Sequence, residues 1–393
     1  MAGQRLSELR VENFRSLGRV TLPLGPVNIL IGPNGAGKTN VLEVFRFLAD
    51  VVHSDLWPAL EERGGFERLV FRGGEAVPTW IRIGIRGNWS PSYQGDDADE
   101  YSLTIHGTPL AREERFRMAN QQHRLLTITV EDEVARALPR DAGDTVEEIG
   151  IQPLSSGLST LPRLRTSGFS LSPIHLARLL GSFRIFDVDV AQARMPARVP
   201  KSKAEGIADN AANLAGFLLW LRDHDADAWS RLQADAIEVL PQLEALEFEH
   251  PSGAAHTVVV VLRERGLREP TSLLDASYGT IRLLGLLAML YDPDPPALTC
   301  VEEIDHGLHP QALELLVERV REASEKTQFI IATHSPALAD RLKPEEIVVC
   351  ERGDDGSSLI PAISTAKVKE IVDASEGLPL GELWFSGALG GDL

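Results

Sequence analysis

The sequence predicts an α/β fold in which a mostly parallel sheet covered by helices carries an antiparallel β subdomain and an α-helical insert. Three stretches say so. VNILIGPNGAGKT, at residues 27–39, is an apolar strand running into a glycine-rich turn and a Lys-Thr pair. TWIRIGIRG, EYSLTIHG and RLLTITV, between residues 79 and 130, alternate apolar and polar positions with period two, as an antiparallel meander does. From residue 272 onward, helical patterns (SYGTIRLLGLLAMLY, PQALELLVERVREASEK) alternate with strand patterns (PALTCVEE, QFIIATHS, EIVVCE), which is how parallel strands joined by crossover helices read.

Taken in order, LRVENF and RVTLPL are two short strands that lead to the strand Val27–Ile31. The helix after the glycine loop places Val41, Leu42, Phe45, Leu48 and Val52 at helical spacing, giving it an apolar face for a sheet. Residues 131–170 show no period, and are expected to be loop. SPIHLARLL and NLAGFLLWLRDHDADAWSRLQADAIEVLP read as a helical insert, with Asn213, Asp209 or Asn210 as candidate cap for one helix and Asp225 or Asp227 for the next. Trp220 and Trp229 fit a helix–helix core there, and LEALEFEH and HTVVVVLRE are strands. The closing segment must share a sheet with Val27–Ile31, so the expected organisation is 1–87 and 256–393 as two parts of one nucleotide domain, with 88–255 an excursion of antiparallel strands and helices.

Composition narrows the function. The chain has 393 residues, 43% of them hydrophobic and 24% charged, with no apolar run long enough to span a membrane and a start, MAGQRLSELR, that does not resemble a signal peptide. Cys300 and Cys350 each end an apolar run and are expected as buried free thiols, and a cytoplasmic location fits best. A formal net charge of −18 argues against coating nucleic acid by general electrostatics. Any such contact must be local, and the acid-free stretch RMPARVPKSK, with Arg194, Arg198, Lys201 and Lys203, is either that place or a solvated loop.

The chemistry sits at strand ends. Gly32, Gly37, Lys38 and Thr39 fill the pattern G-x-x-x-x-G-K-[ST], in which inward-turned backbone amides and a helix N-terminus bind phosphate. Lys38 then reaches the β- and γ-phosphates, and the Thr39 hydroxyl ligates Mg²⁺. In ALTCVEEIDHGLHP an apolar strand ends in Glu302 and Glu303. Side chains alternate along a strand, so the two carboxylates are expected to face differently, one supporting Mg²⁺ and the other taking a proton from the attacking water. FIIATHSP repeats the design and presents His334, whose imidazole can donate to a γ-phosphate oxygen.

With these residues in hand, the chain resembles the ABC-type ATPase superfamily, in the branch of RecF, the SMC heads and the OLD-family ATPases, and more narrowly the AAA-type ATPases of bacteria and archaea. The resemblance rests on ENFRSL, GPNGAGKTN, SYGT before an apolar helix, VEEIDHGLHP, ATHSP and the tail LGELWFSGALGG, with only DNAANLAGFLLWLR in the middle of the chain. It implies a homodimer that closes around two ATP molecules, each held by Asn34, Gly35, Ala36, Gly37, Lys38, Thr39 and Asn40 of one subunit and by Ser277 and Gly279 of the other. It also implies Glu302 as the Walker B acid beside Thr39 at Mg²⁺, Glu303 as catalytic base, His334 as switch, Arg15 near the nucleotide and Asp305 in the D-loop region.

The sequence departs from the wider superfamily in using Glu302 for Asp, SYGT for LSGGQ, and in lacking a recognisable Q-loop glutamine near GGFERLVFRGG. OLD-type chains continue into a Toprim nuclease domain, whereas no nuclease is expected within these 393 residues. The resemblance therefore implies an ATPase that drives or gates a DNA-related process such as repair or anti-phage defence, or alternatively a slow nucleotide-gated switch on a partner nuclease or toxin. A transporter subunit is disfavoured by the atypical signature and the insert.

Overall fold

A computed structural model of the chain describes residues 5–90, 98–119, 125–139, 146–163, 172–199, 206–251, 256–375 and 377–390. Val27–Ile31 is buried along its whole length. Val27, Ile29 and Ile31 point into one hydrophobic core and Leu30 into a second, so the strand is apolar throughout because both of its faces are covered. It lies inside a five-stranded parallel core sheet, in the order Arg184–Phe186, Leu298–Glu302, Gln328–Thr333, Val27–Ile31, Ile347–Val349.

The N-terminal strands do not join that sheet. Arg5–Phe14 and Leu17–Pro23 begin an outer sheet of eight antiparallel strands, which continues through Trp80–Asn88, Asp99–Gly107, Leu110–Ala119, Leu125–Glu131, Val134–Pro139 and Glu147–Gly150. The helix Lys38–Ser54 lies between the two sheets; its Val41, Phe45 and Leu48 share a core with Leu9, Val11 and Ile83 of the outer sheet and with Leu298, Cys300 and Ile330 of the core sheet. On the opposite face of the core sheet pack the helices Leu214–His224, Tyr278–Leu290 and Pro310–Ala323, together with the antiparallel pair Leu243–Glu249 and Thr257–Glu264.

The expected helix pair is present, and Asp225 caps Ala226–Val239 by accepting from the Ala228 amide at 3.0 Å. Asn213 precedes Leu214–His224, but its side chain bonds Ala208 and Gly206 in the preceding loop. Trp220 is buried in that core and Trp229 packs against it. Among the described residues no helix is long and apolar enough to cross a membrane.

Two stretches differ from the expectation. Residues 131–170 hold the strands Val134–Pro139 and Glu147–Gly150 and the short helix Gly157–Thr160. The buried positions of the first are Ala135 and Ala137, opposite Val130 and Ile128, and methyl groups make a faint period. Further, Arg184–Phe186 falls within 88–255 yet pairs with Leu298–Glu302 at the edge of the core sheet. Three residues are too few to show any period.

Both cysteines are free and fully buried, and burial pushes the Cys350 thiol up to about 12 and that of Cys300 higher still. The inner face of the outer sheet also buries the Glu114 carboxylate, which accepts from the Tyr101 hydroxyl, the Ser156 hydroxyl and the Gly157 amide; burial raises its pKa above the usual carboxylate range.

The sheets are stitched by Gln328, whose buried amide donates to the carbonyls of Leu6 at 2.9 Å and Gly25 at 2.7 Å and accepts from the Leu6 amide at 3.1 Å. Gln328→Leu keeps the volume but leaves the Leu6 amide and carbonyl without that partner. The expected outcome is a loss of ~1–3 kcal/mol, read as a lower denaturation midpoint at unchanged slope. An unchanged midpoint would show that the stitch contributes nothing to stability.

Candidate nucleotide site

The core sheet ends its strands along one edge, and the crevice outside the carboxyl ends of such strands is where an α/β fold gathers its ligand groups. A cleft of about 250 Å³ lies there. Its walls come from four places: Asn34, Gly35 and Gly37 to Asn40 from the glycine loop, Glu302 and Glu303 from the end of Leu298–Glu302, Thr333 and His334 from the end of Gln328–Thr333, and Arg352 from just beyond Ile347–Val349. Ala36 is part of the loop but turns its methyl into the core.

The loop conformation demands its glycines. Gly37 caps the helix at φ 99°, a left-handed backbone, and a Cβ there would run into the Ser358 hydroxyl. Ser358 Oγ lies 2.6 Å from Ser16 Oγ, which accepts from Asn40 Nδ2 at 2.7 Å, so the loop is braced from two distant segments. Arg352 adds a third brace by donating to the Gly35 carbonyl at 3.0 Å. Among the described residues the amides of Gly37, Lys38 and Thr39 have no hydrogen-bond partner in the protein. Three convergent N–H donors at the positive end of a seventeen-residue helix fit a phosphate.

Lys38 Nζ donates to the carbonyls of Gly32 at 2.7 Å and Pro33 at 3.0 Å. Burial pulls its pKa below the usual lysine range, while the Glu303 carboxylate opposes the shift. The Thr39 hydroxyl and the Glu302 carboxylate are hard oxygen donors, as Mg²⁺ prefers. No group of three or more His, Cys, Asp or Glu able to hold a metal occurs among the described residues. A hydroxyl and a carboxylate beside a phosphate cradle suit an ion that shares its coordination with phosphate and water.

Both glutamates line the same cleft, as expected of two carboxylates beside the phosphates, although alternation on a continuing strand would turn them apart. The strand stops at Glu302, and Glu303 takes φ 47°, a left-handed conformation costing a non-glycine residue ~1–2 kcal/mol. Three backbone hydrogen bonds hold it there. Its amide donates to the Ala332 carbonyl at 2.8 Å, and its carbonyl accepts from the His306 amide at 2.9 Å and from Arg282 Nη2 at 2.8 Å. The Glu303 carboxylate then sits between two imidazoles, 3.6 Å from His334 Nδ1 and 3.4 Å from His306 Nδ1. Asp305 accepts from the Thr333 hydroxyl at 2.6 Å, tying the loop after Glu303 to the strand end that presents His334.

The remaining sequence candidates are not on the cleft wall. Ser277 caps Tyr278–Leu290, accepting from the Thr280 amide at 3.1 Å. Gly279 packs so closely on the loop after Glu303 that a Cβ would come within 2.7 Å of the Gly307 carbonyl. Between them Tyr278 lies edge-on to His306, with ring centroids 5.8 Å apart. The segment Ser277–Gly279 thus reaches Glu303 through Tyr278 and His306.

Arg15 pairs with Glu43 at 3.2 Å, in a cluster where Glu43 also holds Arg46 at 2.7 Å. Arg194 donates to the Ala276 carbonyl at 3.3 Å, beside Ser277, and Arg198 lies in a two-residue strand; Lys201 and Lys203 are outside the described residues. Sequence reasoning missed Ser16, Arg282, Arg352 and Ser358. Two of them carried a signal: Arg352 follows a core strand as Glu303 and His334 do, and Ser16 lies within ENFRSL.

The model of the family described as "AAA domain, putative AbiEii toxin, Type IV TA system" matches residues 27–134 and 157–340. Over 376 residues the chain is 25% identical to the OLD nuclease of Thermus scotoductus, covering 89% of this chain and 63% of that protein. Over 110 residues it is 43% identical to the DNA replication and repair protein RecF of Acidothermus cellulolyticus, covering 28% of each. The chain therefore spans less than two thirds of the length of either relative.

Two solved Smc head domains share the fold. One, bound to the C-winged helix domain of ScpA, superposes with a TM-score of 0.52 at 14% identity, covering 90% of this chain and 96% of that one. The other, with an extended coiled coil and bound to the C-terminal domain of ScpA from Pyrococcus furiosus, gives 0.52 at 13% identity over 95% and 100%. The glycine loop, the paired glutamates and the head-like sheet thus place the chain in the AAA-domain family whose description names the putative AbiEii toxin, within the RecF/SMC/OLD-like branch of the ABC-type ATPases.

Proposed function

We propose that this chain binds and hydrolyses ATP with Mg²⁺, dimerising on the nucleotide to drive or gate a DNA-related process such as repair or anti-phage defence. The observation that supports this best is the single cleft that gathers Lys38, Thr39, Glu302, Glu303 and His334 from three separate strand ends. In it the loop amides and Lys38 hold the β- and γ-phosphates, and Thr39 and Glu302 hold the metal, which neutralises phosphate charge when bound. Glu303 takes a proton from the attacking water, and His334 donates to the γ-phosphate.

Ser277 and Gly279, off the cleft wall, serve the nucleotide of a second copy, with Asn34 and Asn40 flanking the phosphates of their own. Arg15 acts through the Glu43 cluster at the root of the loop helix. We read 1–87 and 256–393 as one ATPase head, to which the 88–255 segment adds the edge strand Arg184–Phe186 and most strands of the outer sheet.

The second reading is a slow switch that restrains or releases a partner nuclease or toxin. It is supported by the toxin system in the family description and by the nuclease among the relatives, of which this chain spans 63%. Steady-state ATP turnover with and without duplex DNA separates the two. DNA stimulation that fades with salt favours the first, and slow turnover indifferent to DNA favours the second.

Two substitutions test the site. Lys38→Ala removes the ammonium and is expected to abolish ATP binding or turnover; wild-type turnover would overturn the phosphate assignment. Glu303→Gln keeps the volume and removes the base, so turnover is expected to fall by ~10²–10⁴-fold while ATP stays bound and a dimer accumulates in size-exclusion chromatography. A variant that hydrolyses ATP at the normal rate would remove Glu303 from that role.

A further inference from the structure

A second concavity, of about 880 Å³, opens on the solvent face of the outer sheet, away from the nucleotide cleft. Six arginines line it, Arg10, Arg19, Arg82, Arg86, Arg115 and Arg117, against two carboxylates, Glu12 and Glu100. That balance runs opposite to the −18 of the whole chain.

The register explains its shape. Thr21, Arg10, Gly84, Ser102, Arg115 and Thr129 are successive cross-strand neighbours, forming one row perpendicular to the strands. Gly84 has no side chain and the three hydroxyls are short, so this row is a trough. The row on one side contributes Arg19 and Arg82, with Glu12 between them, and the row on the other contributes Arg86 and Arg117, with Glu100 between them. Six strands at ~4.8 Å spacing make the trough ~24 Å long, about seven base-pair rises of a duplex.

The existing partners do not close it. Arg10 meets Glu8 at 2.6 Å, Arg82 meets Glu12 at 3.4 Å, and Arg86 meets Glu100 at 3.0 Å. Exposed pairs of this kind are weak and salt-screened, so a phosphate can take the place of the carboxylate. Arg115 faces only the hydroxyl residues Ser102 and Thr129 across the strands. Tyr101, the aromatic residue of the lining, is buried with its hydroxyl on Glu114 and offers no face to a base. Guanidinium forks and hydroxyls without a stacking platform match phosphodiesters, and they match a duplex better than splayed single-stranded bases.

We propose that the solvent face of the outer sheet binds the phosphodiester backbone of duplex nucleic acid lying across its strands. This deepens the DNA-coupled reading by giving the duplex a place, and it is tested separately from the ATPase cleft.

The experiment is fluorescence anisotropy of a labelled duplex with the full chain, without nucleotide, over a range of salt. Arg10→Ala with Arg115→Ala is expected to weaken binding at least ~10-fold and to flatten the slope of log affinity against log salt by about two, near one per lost phosphate contact. Ser102→Glu with Thr129→Glu, which leaves every arginine and the buried face intact, is expected to weaken binding as strongly. Turnover without DNA, measured on the same proteins, is expected to stay at the wild-type value, whereas Lys38→Ala is expected to lose turnover and keep the duplex. The proposal is overturned if the wild-type chain binds no duplex, or if either folded double variant keeps wild-type affinity and slope. Competition by a polyglutamate peptide as effective as by duplex would also overturn it and assign the face to an acidic protein segment.

Discussion

The structure depends on a five-residue strand that has no solvent-facing side. Val27–Ile31 contributes alternate side chains to two cores, and the cleft is built around it: Gln328–Thr333 on one side, with Leu298–Glu302 one strand further out, Ile347–Val349 on the other, and the helix Lys38–Ser54 across one face. A strand buried on both faces must be nearly all apolar and must have every backbone group paired. Its single polar side chain, Asn28, obeys that constraint by bonding the Gly25 and Phe329 carbonyls at 2.9 Å. The loop that follows can then keep amides unpaired in the protein because the strand beneath it is fixed on all sides.

The second constraint is local and conformational. Parallel strands deliver side chains to a common edge, but alternation would send Glu302 and Glu303 to opposite faces. The left-handed backbone at Glu303 removes that conflict, and Arg282 holds it from below while also pairing with Asp187 at 3.3 Å. Arg282 belongs to the helix that Ser277 caps. The helix Tyr278–Leu290 and the turn carrying Glu303 are therefore one unit, linked through a buried guanidinium on one side and through Tyr278 and His306 on the other.

Much of this was legible from the residues. The glycine loop, the paired glutamates and His334 each combine a sequence-local motif with the apolar strand that positions it, so both halves of the inference lie within about ten residues. The meander was legible because Ile81, Ile83 and Ile85, and Tyr101, Leu103 and Ile105, keep a strong period. What was hidden falls into three physical kinds. Val134–Pro139 buries only alanine methyls at its two inner central positions, and Arg184–Phe186 is too short to have a pattern. Ser16 and Ser358 meet across 342 positions of sequence, and nothing in either neighbourhood announces the other. The arginines of the outer sheet looked like ordinary polar positions of a half-buried meander, and only the register shows that they face each other across a trough.

The buried thiols give the core sheet a built-in reporter of its own breathing. An alkylating reagent reacts with exposed thiolate, and both cysteines are shielded and held protonated by burial. Cys350 follows the strand beside the phosphate loop, its amide bonded to the Ile31 carbonyl at 2.7 Å, whereas Cys300 lies midway along Leu298–Glu302 under the loop helix. Labelling of one therefore registers local opening at the sheet edge that anchors the loop, and labelling of the other registers separation of the two sheets. Both thiols thus report on opening of the one core they share, Cys350 from just past the edge strand and Cys300 from within the sheet.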